Sequence, residues 1–436
     1  MTDPSIEPNS RLSDWLLYLE QLHPNIIDLG LERVNHVRKK LRLAPTCPLV
    51  IVGGTNGKGS VCAMLEAILT CAGYRVGCYT SPHLLCYNER IHINQRPISD
   101  DLLCQAFEVV ESARIQCGVS LTYFEFGTLA AMHLFIRAEV DVAILEVGLG
   151  GRLDAVNIFD ADCAILTSID LDHMDYLGDT RDKIGFEKAG IFRKGKAAIC
   201  SEREMPLTVP EYAERIGASL IHVDRDFGYV AKEAQWDFWG PKGWRHSLSH
   251  PALRGTNQLQ NASTCLAALG MLGESLPTSM NDIRRGLLEV VLPGRFQVLP
   301  GQPLIILDVA HNPSAARTLA ANLDAAKPHQ YTYAVLAMLR DKDIAGVIEA
   351  LKYSIDVWLI SSIDSSLRGA SADELVEKLE DAGITKMNGI IHAFSDTVAA
   401  FAFACEHASK NDRICVLGSF YTVGAVLQYQ NMRQYR

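Results

Sequence analysis

The sequence predicts an α/β protein: a P-loop-type, mostly parallel sheet domain carrying a small antiparallel insertion, followed by a second, Rossmann-like α/β domain. Three observations predict it. Short apolar runs such as Leu49-Val50-Ile51-Val52, Val142 to Leu145 and Cys163 to Thr167 alternate with helical patterns, the signature of parallel strands covered on both faces. The glycine-rich run Gly54-Thr55-Asn56-Gly57-Lys58-Gly59-Ser60 joins the first of these strands to a helix. The alternation pauses at Leu292-Pro293-Gly294, which reads as a hinge, and restarts at Leu304-Ile305-Ile306-Leu307. At 436 residues the chain is long for one core, so a division into residues 1–294 and 295–436 is expected.

The elements follow from local pattern. After the glycine run the helical pattern covers Val61 to Ala72, with Gly73 as its C-terminal cap, and a strand covers Arg75 to Tyr79. Helical periodicity then covers Asp101 to Gln116 and Tyr123 to Ala138, with Thr122 to Phe126 read as a helix start with a hydrophobic staple. From Phe227 to His250 aromatic and polar residues alternate, including Tyr229, Trp236, Phe238 and Trp244, which predicts a small antiparallel insertion without an assigned role. Helices at Gln258 to Met271 and Met280 to Val290 close the first domain. In the second, a helix from Pro313, a strand Thr332 to Leu336, a helix Ile344 to Lys352 and strands Val357 to Ile360 and Ile414 to Leu417 repeat the alternation.

Composition narrows the function. A net charge of −10, from 41 basic and 51 acidic residues, argues against a general nucleic-acid or acidic-membrane binder, so anions must be held locally. Twelve scattered cysteines without a C-x-x-C pair read as reduced thiols, and no apolar run approaches the roughly 18 residues that span a bilayer, so a soluble cytoplasmic protein is expected.

The glycine run points to a nucleotide phosphate. Backbone N–H groups and a helix N-terminus gather around an anion, Lys58 brings a charge to the β/γ-phosphates, and Ser60 offers a hydroxyl to Mg²⁺. The spacing departs from G-x-x-x-x-G-K-[ST]: the loop is one residue tighter and the hydroxyl one later, so a plain tight turn is the competing reading. In parallel sheets ligands collect where strands end. Glu146 ends an apolar strand and wants a cation, with Ser60 or Ser81 hydroxyls completing an oxygen set suited to magnesium. His173 could add a nitrogen, and Asp170, Asp172 and Asp175 are alternatives in the same loop. By spacing alone Lys188 is a surface lysine.

Gly54 to Ser60, Ser81-Pro-His-Leu84, Glu146-Val-Gly-Leu-Gly-Gly-Arg-Leu-Asp154, Glu187-Lys-Ala-Gly-Ile191 and Asp308-Val-Ala-His-Asn-Pro313 together resemble, in order and across both domains, the folylpolyglutamate synthase family of the Mur ligase superfamily. Asp28 to Val34 and Leu121 to Gly127 resemble its bifunctional bacterial branch. The resemblance implies an ATP-dependent amide ligase that phosphorylates a pterin-linked carboxylate and lets L-glutamate displace the phosphate. Its acceptors would be 7,8-dihydropteroate and reduced folates, its cofactors ATP and Mg²⁺, with a monovalent cation such as K⁺ a further candidate. A monomer acting only on small molecules, without nucleic acid or membrane partners, is implied.

Carried over, the ATP loop falls on Thr55, Asn56, Gly57, Lys58, Gly59 and Ser60, and the magnesium ligands on Ser81, Glu146 and His173. Lys188 falls on a carbamylated lysine facing the metal, Asn261 on an adenine-side contact, Arg295 on a phosphate contact and Asp308 on a nucleotide contact; His311, with Asn312, falls beside the incoming glutamate. Catalytic weight rests on Lys58, Lys188 and His311. The pterin side is implied for Asp28, Leu29, Gly30 and Leu31, for Thr122, Tyr123, Phe124 and Glu125, and for Leu153, Asp154 and Ala155, with Phe124 stacking and Asp154 pairing with ring N–H groups. Ser60 stands where many relatives carry threonine, which keeps the hydroxyl. A ligase without dihydropteroate activity, and a nucleotide switch without ligase chemistry, are the rival readings.

Overall fold

The computed structural model describes residues 6, 10–326, 329–363, 366, 368–384 and 390–434. They form two compact units: one reaches to His83 and resumes over Tyr87–Ala252 and Leu259–Val290, the other takes Leu84–Cys86, Leu253–Gln258 and the chain from Val291 onward.

The first unit is built on an eight-stranded sheet. Its strands are β1 (Leu49–Gly53), β2 (Val76–Tyr79), β3 (Ile91–Ile93), β4 (Arg96–Pro97), β5 (Val142–Glu146), β6 (Cys163–Leu166), β7 (Ala197–Cys200) and β8 (Ser219–His222), in the order β4-β3-β2-β5-β1-β6-β7-β8. All pairings from β2 to β8 are parallel; only the β2–β3–β4 edge is antiparallel. Every residue of β1, β2, β5 and β6 is buried, as continuous apolar runs require when helices cover both faces.

Those helices are α1 (Leu12–Gln21), α2 (Glu32–Leu41), α3 (Lys58–Cys71), α4 (Asp100–Cys117), α5 (Tyr123–Arg137), α6 (Met174–Leu177), α7 (Arg181–Ala189), α8 (Thr208–Ile216), α9 (Gln258–Leu272) and α10 (Met280–Glu289). Trp15 of α1 sits against Phe107 and Phe126, with ring centroids 5.7 and 6.4 Å away, fastening the N-terminal helix to α4 and α5. The helix after the glycine run starts three residues earlier than its apolar periodicity suggests. Gly57 occupies the N-cap in a left-handed conformation, which brings Lys58 and Ser60 into the first turn. The expected insertion is a three-stranded antiparallel sheet, β9 (Gly228–Ala231), β10 (Gln235–Gly240) and β11 (Gly243–Ser249), anchored by buried Trp236.

The second unit carries β12 (Gln297–Leu299), β13 (Leu304–Leu307), β14 (Thr332–Leu336), β15 (Val357–Ser361), β16 (Ile390–Phe394) and β17 (Arg413–Leu417), in the order β12-β13-β17-β14-β15-β16, parallel except for β12. Helices α11 (Pro313–Ala325), α12 (Ile344–Leu351), α13 (Ala372–Asp381), α14 (Thr397–His407) and α15 (Phe420–Gln434) complete it. Successive strand residues feed opposite cores: Ile306, Leu336, Trp358 and Leu417 one, Leu307, Val335, Leu359 and Val416 the other.

Helix α10 crosses α3 at Gly286, where a Cβ would lie 2.5 Å from the Ile68 backbone. Gly286→Ala should therefore destabilise the protein by about 1–3 kcal/mol, the usual cost of overpacking. Urea unfolding measures it, and an unchanged midpoint would show that this crossing is not tight.

Candidate active site

The carboxyl ends of β2, β5, β1 and β6 lie side by side. Register puts Glu146 level with Val52, and Leu166 level with Gly53, the last residue before the glycine loop. Gly54 follows at φ +140° and Gly57 at φ +89°. A Cβ on Gly54 would fall 1.9 Å from Thr167 Oγ1, and one on Gly57 would fall 3.0 Å from Asn261 Oδ1. Gly54 has no room for a side chain, and both positions need the backbone freedom of glycine.

The segment after β6 clamps the loop. Thr167 Oγ1 donates to Asn56 O at 2.6 Å, and Asn56 N donates to Ser168 Oγ at 2.9 Å. Thr55 N donates to Ser168 O at 2.7 Å, while Thr55 Oγ1 receives Asp170 N at 3.0 Å and donates to Asp170 O at 3.1 Å. Thr55 thus commits its hydroxyl to the loop's own scaffold. Thr167, Ser168 and the Asp170 backbone do work that the sequence reading did not give them; their only signal was polarity after an apolar strand. Lys58 Nζ donates to Gly54 O at 3.1 Å and Thr55 O at 3.3 Å, so the ammonium rests over the loop. Ser60 is buried in the first turn of α3 behind Gly59. A helix N-terminus and a lysine thus stand together at the end of β1, two features that favour an anion.

Beside the loop, buried Glu146 accepts Ser81 N on Oε2 at 3.1 Å. His173 opens α6 in a left-handed conformation, its own N–H bonded to Asp172 Oδ1 at 2.9 Å. Among the described residues no three His, Cys, Asp or Glu side chains gather into a metal cage. One buried carboxylate with the Ser60 and Ser81 hydroxyls is nevertheless a hard oxygen set. It fits magnesium, which keeps waters and takes phosphate oxygens.

Lys188 corrects the reading from spacing. It is 4 % exposed, not on the surface. Residues 148–154 cover the end of α7 so closely that a Cβ on Gly151 would lie 2.9 Å from the carbonyl oxygens of Glu187 and Lys188. Burial pulls the Lys188 pKa down to about 7; the positive charge of Lys58 acts in the same sense, and Asp172 and Asp154 oppose it. An α-helix nine residues long shows too little periodicity to announce that its charged face is covered.

The segments matched to a pterin also gather in the first unit. The Phe124 ring lies over Gly148, whose Cβ would be 2.8 Å from it, and 5.6 Å from the Tyr79 ring. Thr122 caps α5, with Glu125 N donating to Thr122 Oγ1 at 3.3 Å and Thr122 N donating to Glu125 Oε2 at 2.8 Å. Arg33, which the sequence reading gave no role, reaches the same Glu125 oxygen at 2.9 Å and Asp28 Oδ2 at 2.8 Å, joining segment 28–31 to segment 122–125. Glu125 Oε1 is buried without a hydrogen-bond partner among the described residues. Leu29, Gly30 and Leu31 are half-buried, and Tyr123 faces the Arg90 guanidinium at 5.3 Å. Asp154 is buried between Leu153 and Ala155 and accepts Leu149 N at 2.8 Å and Val156 N at 3.0 Å. Its pKa is pushed up to about 7 by burial, against those amide bonds. Its first task is to shape segment 148–156, which leaves fewer lone pairs for a ligand.

In the second unit Asp308 directly follows β13 and accepts Phe296 N and Ala310 N, each at 2.8 Å. Enclosure raises its pKa, and Arg295 works against that rise. Arg295 lies over the Phe420 ring, 5.0 Å from its centroid. His311 Nδ1 bonds to Val309 O at 2.9 Å, and Asn312 Oδ1 caps α11 through Ala315 N at 2.9 Å.

A parallel sheet with a lysine-bearing glycine loop, followed by a second parallel α/β unit, is the arrangement of a Mur ligase. Residues 52–269 match the Mur ligase middle domain and residues 294–420 the Mur ligase glutamate ligase domain. The chain is 44% identical over 426 residues, 98% of its length and 97% of the relative's, to the dihydrofolate synthase/folylpolyglutamate synthase of Escherichia coli strain K12. A solved structure of E. coli FolC in complex with DHPP and ADP superposes with a TM-score of 0.93 at 43% identity, covering 99% of this chain and 100% of that one. A bifunctional folylpolyglutamate synthase/dihydrofolate synthase with Mn, AMPPNP and L-glutamate bound gives 0.88 at 44% identity, covering 97% and 98%. The chain belongs to the dihydrofolate synthase/folylpolyglutamate synthase family of Mur ligases.

Because Lys188 has a lower pKa folded than unfolded, the folded state gives up its proton first. The burial penalty is complete below pH 7 and fades as pH rises toward the ordinary lysine value. Lys188→Met should thus gain stability over the parent at pH 6, and that gain should shrink by more than half by pH 9. Urea midpoints in carbon-dioxide-depleted buffer test this; a pH-independent difference would mean that the amine is solvated.

Proposed function

We infer that this chain is an ATP-dependent amide ligase that adds L-glutamate to 7,8-dihydropteroate and further glutamates to reduced folates, through an acyl phosphate. The observation that carries this is the glycine loop with Lys58 following a strand whose Val52 pairs with the buried carboxylate Glu146, in a chain alike over nearly its whole length to a dihydrofolate synthase/folylpolyglutamate synthase.

Transfer of the γ-phosphoryl group to a pterin-linked carboxylate needs little covalent help from protein. It needs charge neutralisation and alignment. Lys58 and the N-terminus of α3 supply the first, with Thr55, Asn56, Gly57, Gly59 and Ser60 shaping the cradle. Ser60, Ser81, Glu146 and His173 would hold Mg²⁺, which when bound offsets phosphate charge. The half-neutral Lys188 amine suits carbamylation: CO₂ forms an N–C bond to the neutral nitrogen, one proton leaves, and a carboxylate replaces a cation. In the second step the glutamate amine attacks the acyl carbon, the carbon–oxygen bond to phosphate breaks, and the nitrogen loses a proton. We assign Asn261, Arg295 and Asp308 to the nucleotide, His311 with Asn312 to glutamate, and segments 28–31, 122–125 and 153–155 to the pterin.

Among the described residues no helix is long and apolar enough to cross a membrane, and all twelve cysteines are free. A cytoplasmic setting accords with that thiol state.

Phosphate release from ATP should rise only when dihydropteroate and glutamate are present together, and tetrahydrofolate should serve as a second acceptor. Release with neither acceptor would indicate a nucleotide switch, and release with tetrahydrofolate alone a ligase lacking the dihydropteroate half. Lys58→Ala should lower turnover by roughly 10²-fold or more, the scale of losing one preorganised electrostatic group; unaltered steady-state rates would remove the loop from the mechanism.

A further inference from the structure

We propose that Arg152 is a positioning residue for Lys188, fixing the end of α7 and with it the placement of the buried lysine side chain. This deepens the ligase reading and rests on it. Arg152 grips the residues on both sides of Lys188. Its backbone N–H donates to Glu187 O at 2.8 Å. Its guanidinium forms a fork on the Glu187 carboxylate, NH2 to Oε1 at 2.8 Å and Nε to both oxygens at 3.2 Å, and lies 5.7 Å from the centre of the Phe186 ring. Beyond the lysine, the Arg152 Cβ stands 2.3 Å from where a Cβ of Gly190 would be. Asn157 Nδ2 then ties Arg152 O at 2.9 Å to Gly190 O at 3.1 Å.

A part-exposed ion pair of this kind adds little stability by itself. Its value is directional: a two-pronged guanidinium fixes orientation as a lone ammonium does not. Lysine hangs on four flexible carbons, so its placement depends on the backbone beneath it, and Arg152 holds that backbone at residues 187 and 190. Two residues after Arg152 comes Asp154, whose carboxylate binds the amides of Leu149 and Val156. Segment 148–156 and the end of α7 are thus tied together through Arg152.

The full-length enzyme tests this through Arg152→Ala, Arg152→Lys and Glu187→Gln, each first checked for an unfolding transition well above the assay temperature. Arg152→Ala should lose about 10²-fold in kcat, the scale of an ångström-sized misplacement, with KM for ATP unchanged. Arg152→Lys and Glu187→Gln, which keep bulk but break the fork, should fall between; Glu187→Gln carries the test if Arg152→Ala does not fold. The second readout is the ¹³C carbamate resonance in labelled bicarbonate, assigned by its absence in Lys188→Ala, which should weaken in folded Arg152→Ala. Unchanged kcat in the variants, or lost kcat beside a carbamate signal of parental strength, overturns the proposal. A parent enzyme with no carbamate resonance refutes the carbamate reading instead, and the split between kcat and KM then decides the role of Arg152.

Discussion

The register of three adjacent parallel strands governs this site. β5, β1 and β6 run side by side, with Val52 opposite both Glu146 and Ile165. The side-chain period of a strand is two, so a slip of one residue would turn Glu146 to the other face and part Thr167 from the loop it clamps. Fully buried strands specify that register strongly, because each has apolar partners on both sides. The large core beneath thus does more than stabilise: it sets the position of a carboxylate relative to the glycine loop.

Against this rigid frame the first unit buries charge at several points. Glu146, Asp154 and Lys188 are each nearly inaccessible, and Arg33 carries an ion pair with a Glu125 that is equally enclosed. Charges so placed cost free energy unless bonded, and the carboxylates lean on backbone amides that the loops supply. Lys188 shows the cost most openly, in a pKa that burial pulls down to about 7. Perturbed titration of this kind is a mark of functional sites.

Much of the fold was legible because it rests on local pattern. Strands Leu304–Leu307 and Thr332–Leu336 match their apolar runs residue for residue, and the aromatic alternation after Phe227 does form an antiparallel sheet. The helices α1 and α2 went unread, since α2 buries only Val34 and Val37 among charged neighbours. The start of α3 was missed because Gly57 sets it by a left-handed cap, before any apolar period begins. At the site, residue types showed where chemistry could occur, while partners were invisible: the Thr55 hydroxyl bonds to Asp170, 115 positions away, and Arg33 to Glu125, 92 away. Long-range packing decides which polar groups face a ligand and which build the wall.

The route of the chain bears on how this molecule could be divided. It passes between the two units five times, at residues 83–84, 86–87, 252–253, 258–259 and 290–291. The short visits are firmly seated: Thr256 N donates to Asn322 Oδ1 at 2.8 Å, and the Leu84 carbonyl lies 2.5 Å from where Gly424 would carry a Cβ. A fragment cut after residue 290 would keep Leu84–Cys86 and Leu253–Gln258 but lose what they pack on, baring apolar and unpaired backbone groups. The two halves are separable as folding cores, yet not as pieces of polypeptide, and limited proteolysis near the Pro-Gly hinge would nick the chain without releasing either one intact.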